Sequence, residues 1–145
     1  MTASAYGANV WQLSLILNDC LSKALRPVMR RYGITQAQAQ LLFSVHRNKE
    51  ATVGTLAKKL GLARTNASAM CKKLANMGFL RRHRREDDER FVTVALTEAG
   101  IDAARTIEQR IEKVYRKKHV NQQEMEKMLH VFTEISHLLN EEEEE

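Results

Sequence analysis

The chain has little of what punctuates β architectures: one proline and six glycines in 145 residues. So few turn formers exclude a sandwich or barrel of many short strands. It also lacks a long apolar run. No stretch approaches the roughly 18 residues needed to cross a bilayer. Val10–Leu17 is short, interrupted by Gln12 and Ser14, and preceded by no Lys or Arg, which is unlike a signal peptide. Leu17-Asn18-Asp19-Cys20 is a poor lipoprotein cleavage site, because bulky polar residues precede the cysteine. Two cysteines, Cys20 and Cys71, are too few for a disulfide framework. The expected setting is a reducing cytoplasm, with no membrane partner.

Catalytic signals are missing too. No nucleophile stands beside a base, no glycine-rich loop is present to hold phosphate, and no carboxylate pair lies within an apolar stretch. Among the five histidines, His130 and His137 are seven residues apart. Two metal ligands on one helix normally stand about three or four apart. Neither an enzyme nor a metal or cofactor site is expected.

What is present is a folded composition, 43% hydrophobic and 28% charged, and an uneven distribution of charge. Residues 51–85 carry nine basic side chains and no Asp or Glu, whereas residues 121–145 carry eight acids against the single Lys127. The net charge of +5 averages these two halves. An acid-free basic block is the footprint of a phosphate-binding surface, although charge alone does not separate that from a solvated face.

Apolar residues at Val10, Leu13, Leu17, Leu21, Ala24 and Val28 trace one helical stripe, with a bend or new turn expected at Pro27. Thr35 can cap a second helix carrying Leu41, Leu42 and Val45. A short third helix follows Thr52 and stops at Gly61, and a fourth spans Arg64–Met77 before Gly78. The period then changes. Phe91–Leu96 alternates like a strand with one buried face, and Phe79–Arg84 can pair with it across a charged loop, Arg85–Glu89. Thr97 caps a fifth helix, and Asn121 with Glu124 forms a capping box for a sixth. The five closing glutamates read as a solvated tail.

Residues 52–96 form the informative unit. A short helix, a sharp turn at Gly61 and a second helix make a helix-turn-helix, with Ala57 small enough for close approach. The second helix turns Arg64, Thr65, Asn66, Ser68, Lys72 and Lys73 outward. These residue types read base edges and hold phosphates: arginine fits guanine, asparagine fits adenine, and hydroxyls take either. Arg82, Arg84 and Arg85 on one strand and Arg90 near the next can reach a minor groove. An interaction module without base reading would instead show exposed apolar residues on the outward face of 64–73, which here shows Arg, Thr, Asn, Ser and two Lys.

Thr65-Asn66-Ala67-Ser68, Leu74-Ala75-Asn76-Met77-Gly78-Phe79-Leu80, Asp88-Glu89-Arg90 and Leu96-Thr97-Glu98-Ala99-Gly100, in this order, resemble the signature of the MarR family. These are bacterial winged helix-turn-helix transcription regulators, and the likeness covers roughly residues 8–140. It implies a mainly α fold: one domain over 1–145, with a winged helix-turn-helix DNA-binding region at 35–96 and a two-stranded β wing. Helical dimerisation segments at 8–32 and 97–140 and an acidic tail at 141–145 complete it.

The implied function is a homodimeric repressor that binds a pseudo-palindromic double-stranded operator and is released by a small-molecule or redox signal. By the same resemblance Arg90 enters the minor groove and Asp88 braces the wing, with Arg64 or Arg84 as its partner. Ala63 departs from the Ser or Asp that commonly caps such a recognition helix, leaving Ser68 and Thr65 to satisfy backbone donors. An aromatic effector in such proteins lies between the dimer helices and the winged region, where Tyr6, Trp11, Met29, Phe43 and His46 are candidates. Cys20 lies near the sensing position of peroxide-responsive relatives, but Thr35–Gln40 lacks their tyrosines. Cys20 therefore reads as a small interface thiol and Cys71 as core.

Overall fold

The structure, a computed structural model, describes residues 3–84, 92–117 and 121–140. The expected loop Arg85–Glu89 with Arg85 and Asp88, the neighbouring Arg90, the tail 141–145 and the Tyr6 side chain lie outside the described residues. The elements run α1 Ala3–Tyr32, α2 Gln36–Asn48, β1 Glu50–Thr52, α3 Val53–Leu60 and α4 Arg64–Asn76. They continue with β2 Leu80–Arg84, β3 Val92–Leu96, α5 Glu98–Lys117 and α6 Gln122–Asn140. The chain gathers into two compact units, Met1–Ile111 and Glu112–Glu145.

In the first unit the core is made where the sequence periods converge. Leu25 and Val28 come from α1, Leu41, Leu42 and Val45 from α2, and Leu56 from α3. Ala67, Cys71 and Leu74 come from α4, Leu80 and Val94 from the sheet, and Ile107 from α5. α1 passes through Pro27 without ending, its ring exposed to solvent. Water there can take the carbonyl bond that a proline cannot give. The other half of α1 is bare: Trp11 is 69% exposed, and Leu13, Leu15, Ile16 and Leu17 are exposed with it.

Local chemistry sets the helix ends. Thr35 Oγ1 accepts from the Gln38 backbone N–H, and Gln38 Oε1 accepts from the Thr35 N–H at 2.9 Å, a reciprocal capping box. Thr52 Oγ1 accepts from the Thr55 N–H at 3.0 Å and starts α3. Gly61, at φ +63°, closes α3 in the left-handed conformation, which lets α4 begin after a very short turn. Lys49 also has positive φ, +62°, without being glycine.

The sheet has three strands in the order β1-β3-β2, where the sequence reading expected two. β2 pairs antiparallel with β3 from Leu80↔Leu96 to Arg84↔Val92. β1 covers the other edge of β3, with Ala51 opposite Val94. Glu50-Ala51-Thr52 has no strand pattern of its own; the unpaired edge of β3 recruits it.

Thr97 begins α5 as expected, accepting from the Gly100 N–H at 3.1 Å while its hydroxyl donates to the Gly78 carbonyl at 2.6 Å. Gly100 lies so close to the chain leaving α4 that a Cβ there would overlap the Phe79 carbonyl oxygen. Tyr32, at the end of α1, donates its hydroxyl to Asp102 Oδ2 at 2.6 Å and packs edge-on to Phe79. Arg110 Nε donates to the Ala24 carbonyl at 2.8 Å. The C-terminal half of α1 is thereby fastened to α5.

In the second unit, α6 starts with the expected capping box: Asn121 Oδ1 accepts from the Glu124 N–H at 2.8 Å, and Glu124 Oε2 accepts from the Asn121 N–H at 3.2 Å. Met128, Leu129, Val131 and Phe132 are exposed along it.

Candidate nucleic-acid interface

The helix-turn-helix is built inward first. Leu56 and Ala57 of α3 are buried with Ala67, Cys71 and Leu74 of α4, and that spacing fixes which side of α4 meets solvent. The opposite side carries Thr65, Asn66, Ala69, Lys72, Lys73 and Asn76, all exposed. Ala69 and Asn76 were not singled out from the sequence, although the same 3.6-residue period points to them. Ser68 is half-buried at the flank of this face and Arg64 is exposed at its start.

Ala63 contributes no side-chain cap to α4, as its residue type requires. Among the described residues, no hydrogen bond or ion pair engages the side chains of Thr65, Asn66, Lys72 or Lys73. Asn66 is thus not consumed in capping. The helix presents amides, a hydroxyl and two ammonium groups to solvent.

Beside this face is an open groove of about 320 Å³ lined by Thr52, Gly54, Thr55, Lys58, Arg64 and Val92. Thr52 and Thr55 share a hydroxyl–hydroxyl hydrogen bond of 2.7 Å within it. Two cationic side chains, two hydroxyls and the start of α3 suit an anionic oxygen. In the sequence Lys58 and Arg64 are two of the nine basic residues of 51–85, and only the fold brings them beside Thr52 and Thr55.

The wing strand β2 is not uniform. Arg81, His83 and Arg84 are exposed or partly so, whereas Arg82 has a polar atom under the surface. Arg82 stands opposite Val94, which is fully buried, so its side chain starts from the core face of the sheet. Its Nε is buried without a hydrogen-bond partner. Burial pushes the Cys71 thiol above its ordinary value, and the nearby Arg82 charge pulls more weakly the other way.

The effector candidates sit in different surroundings. Trp11 and Cys20 are exposed on α1. Phe43 is half-buried against the core, and Met29 packs there too. His46 Nε2 is 3.8 Å from Glu108, whose carboxylate also faces Arg47 at 3.7 Å. None of these residues lines the groove at Arg64. Among the described residues, no cluster of three or more His, Cys, Asp or Glu could hold a metal ion.

A helix-turn-helix followed by an antiparallel wing defines the chain as a winged-helix protein. The profile of the SarA/Rot transcriptional regulators matches residues 23–107, and the chain belongs to that family. It is 21% identical over 101 residues to the HTH-type transcriptional regulator SarZ of Staphylococcus haemolyticus, covering 70% of this chain and 69% of that protein. It is 30% identical over 80 residues to the organic hydroperoxide resistance transcriptional regulator of Bacillus subtilis, 55% of this chain and 54% of that one. The match thus spans about half the length of the Bacillus protein.

Among solved structures, reduced AbfR bound to DNA superposes with a TM-score of 0.76 at 22% identity, covering 98% of this chain and 94% of that one. A cysteine-to-serine mutant of MarR from E. coli, complexed with operator DNA, gives 0.73 at 20% identity, covering 93% and 99%. NadR in complex with 4-hydroxyphenylacetate also gives 0.73 at 20% identity, covering 85% and 89%. The fold is that of MarR-type winged-helix regulators, as the resemblance in the sequence implied.

Proposed function

We propose that this regulator binds double-stranded DNA in a sequence-specific manner as a homodimer, with α4 in the major groove and the β2–β3 wing alongside it. The observation that carries the reading is the outward face of α4: Thr65, Asn66, Ala69, Lys72, Lys73 and Asn76 are exposed, polar or small. Asn66 supplies the amide that pairs with adenine, Ala69 a methyl that fits thymine, and Lys72 and Lys73 the charge that holds phosphates. The groove at Lys58 and Arg64 seats a backbone phosphate beside the base-reading helix. Arg84 is exposed on the wing strand, and the family resemblance assigns Arg85 and Arg90 to DNA contact and Asp88 to bracing. An interaction module would need a patch of large apolar residues on that face of α4, and only Met77, at its C-cap, is large, apolar and exposed.

The second copy is called for by α1. Trp11, Leu13, Leu15, Ile16 and Leu17 are exposed on more than one side of the helix, and an exposed apolar surface of this extent marks an interaction site. Burying them against a second copy on the order of 2,000 Å² gives an obligate interface and the two-fold symmetry that a pseudo-palindromic operator mirrors. Segments 8–32 and 97–140 supply that interface, and 35–96 supplies the DNA-binding region. No helix among the described residues is long and apolar enough to cross a membrane, and we place the protein in the cytoplasm beside its DNA. We read it as a binding protein rather than an enzyme, a repressor whose release by a small molecule or an oxidant would act through the α1–α2 region holding Trp11, Cys20, Phe43 and His46. NadR holds an aromatic acid in its structure, and this supports a ligand of that class.

Selection from random duplex DNA tests the proposal. The expected result is enrichment of one pseudo-palindromic sequence, with affinity falling about 10³–10⁵-fold between about 50 and 200 mM salt if the dimer makes roughly 6–10 phosphate contacts. Binding without enrichment, or with a flat salt response, would overturn it.

A further inference from the structure

Arg82 differs from every other basic residue described on the wing strand. β2 alternates, so Leu80, Arg82 and Arg84 leave one side of the sheet and Arg81 and His83 the other. Leu80 is buried on that first side, and Arg82, half-buried, leaves the strand on the same side. Its cross-strand partner Val94 is fully buried, and so is Cys71 on the inward side of α4. β2 packs against α4, whose inward side carries Cys71, and in keeping with this the Arg82 charge pulls weakly on the Cys71 thiol. Its Nε is a buried donor with no partner, a cost that a methionine of similar length would not carry.

We propose that Arg82 is a positioning residue: it braces β2 against the inward side of α4 at Cys71, so that the wing and the recognition helix meet DNA as one rigid piece, and it does not itself contact DNA. The inference rests on the DNA-binding reading for its consequence and on the position of Arg82 for its cause. An arginine aimed into the groove of a duplex must leave the protein surface, as the exposed Arg81 and Arg84 do. Arg82 instead has its Nε under the surface. An arginine stem is long enough to cover apolar surface between strand and helix while its charged head stays near solvent.

The experiment compares Arg82→Met, Arg82→Lys and Arg81→Met with the wild-type chain in three readouts: affinity for the selected duplex against salt, thermal melting, and amide hydrogen exchange along α4 without DNA. Arg82→Met is expected to weaken binding about tenfold to a hundredfold, the span of one lost base contact. Its salt slope should stay within about 0.3 of wild type, where a lost phosphate contact lowers it by about 0.9 per subunit. Arg82→Lys should restore part of the affinity. Exchange at Cys71–Leu74 should speed up in Arg82→Met and not in Arg81→Met. A lower salt slope in Arg82→Met would make Arg82 a phosphate ligand and overturn the inference. A fall in melting temperature with unchanged affinity of the folded protein would make it structural only, and unchanged α4 exchange would remove the brace. Failure of the wild-type chain to prefer any duplex would sink the DNA-binding reading instead, with the exchange comparison still deciding the brace.

Discussion

Gly100 is the position at which the smallest chemical change should do the most damage. It lies in the first turn of α5, where Thr97 caps the helix and also holds the Gly78 carbonyl. A Cβ placed on it would overlap the Phe79 carbonyl oxygen and stand 3.1 Å from Leu96 Cδ2 and from the Phe79 carbonyl carbon. The leucine can rotate away, but the carbonyl cannot: Thr97 N–H donates to it at 3.1 Å, and Phe79 N–H is tied to Leu74 at 2.9 Å. Relief requires α5 to part from the end of α4. Overpacking of this kind costs about 1–3 kcal/mol and occasionally more. The helix-forming advantage of alanine returns at most about 1 kcal/mol. A net loss of about 1–2 kcal/mol corresponds to a melting temperature lower by about 2–8 °C for a chain of this size. The assay is thermal unfolding by circular dichroism at one fixed protein concentration, because a dimer's melting depends on it.

Gly54→Ala is the control for Gly100→Ala. Gly54 is also in a first helical turn, and its nearest neighbour to a new Cβ is Thr52 Oγ1 at 4.0 Å. This substitution should leave stability unchanged or raise it by up to about 1 kcal/mol. If Gly100→Ala melts together with Gly54→Ala, the tight approach between α5 and the α4–β2 turn is wrong.

Lys49 has φ +62° without being glycine, so Lys49→Gly should stabilise the chain by about 1 kcal/mol, and a lower melting temperature would show that no strain is stored there. Cys71 is fully buried with its thiol pushed up by desolvation. In a Cys20→Ser background it should be alkylated no faster than the protein unfolds. The sign of its pH effect follows: the folded state holds the thiol proton more tightly, so this contribution is full below the unfolded value of 9.0 and is lost as pH rises above it. Stability that rises with pH through that range would contradict the assignment. Ile16, 49% exposed on α1, should carry the dimer, so Ile16→Glu should sediment as a monomer and lose most of its DNA affinity; a dimer that persists would move the interface elsewhere.

Helix ends are the most legible part of the chain, because capping is decided within four residues. Thr35, Thr52, Thr97 and Asn121 each start the helix that the sequence assigns to them. β1 is not legible, since Glu50-Ala51-Thr52 becomes a strand only by pairing with β3. The recognition helix is readable in outline, but emphasis on charged and hydroxyl residues passes over Ala69 and Asn76, which lie on its exposed face. On the wing, a run of arginines hides the strand period. Leu80 pointing inward already implies the same for Arg82, yet residue type alone groups Arg82 with the exposed arginines as a DNA contact. The glycine in Leu96-Thr97-Glu98-Ala99-Gly100 is visible as part of a motif, while the reason for it, the Phe79 carbonyl, is a contact between residues far apart in sequence.

Base reading by α4 is tested most directly by repeating the duplex selection with Asn66→Ala. Asn66 is exposed in the first turn, with no partner for its amide among the described residues. A lost bidentate contact to adenine should cost about 1–3 kcal/mol and erase preference at one position of each half-site, leaving the other positions and the salt slope as they were. If Asn66→Ala recovers the wild-type preference at every position, α4 does not read bases through this residue, and the central claim is contradicted where it is most specific.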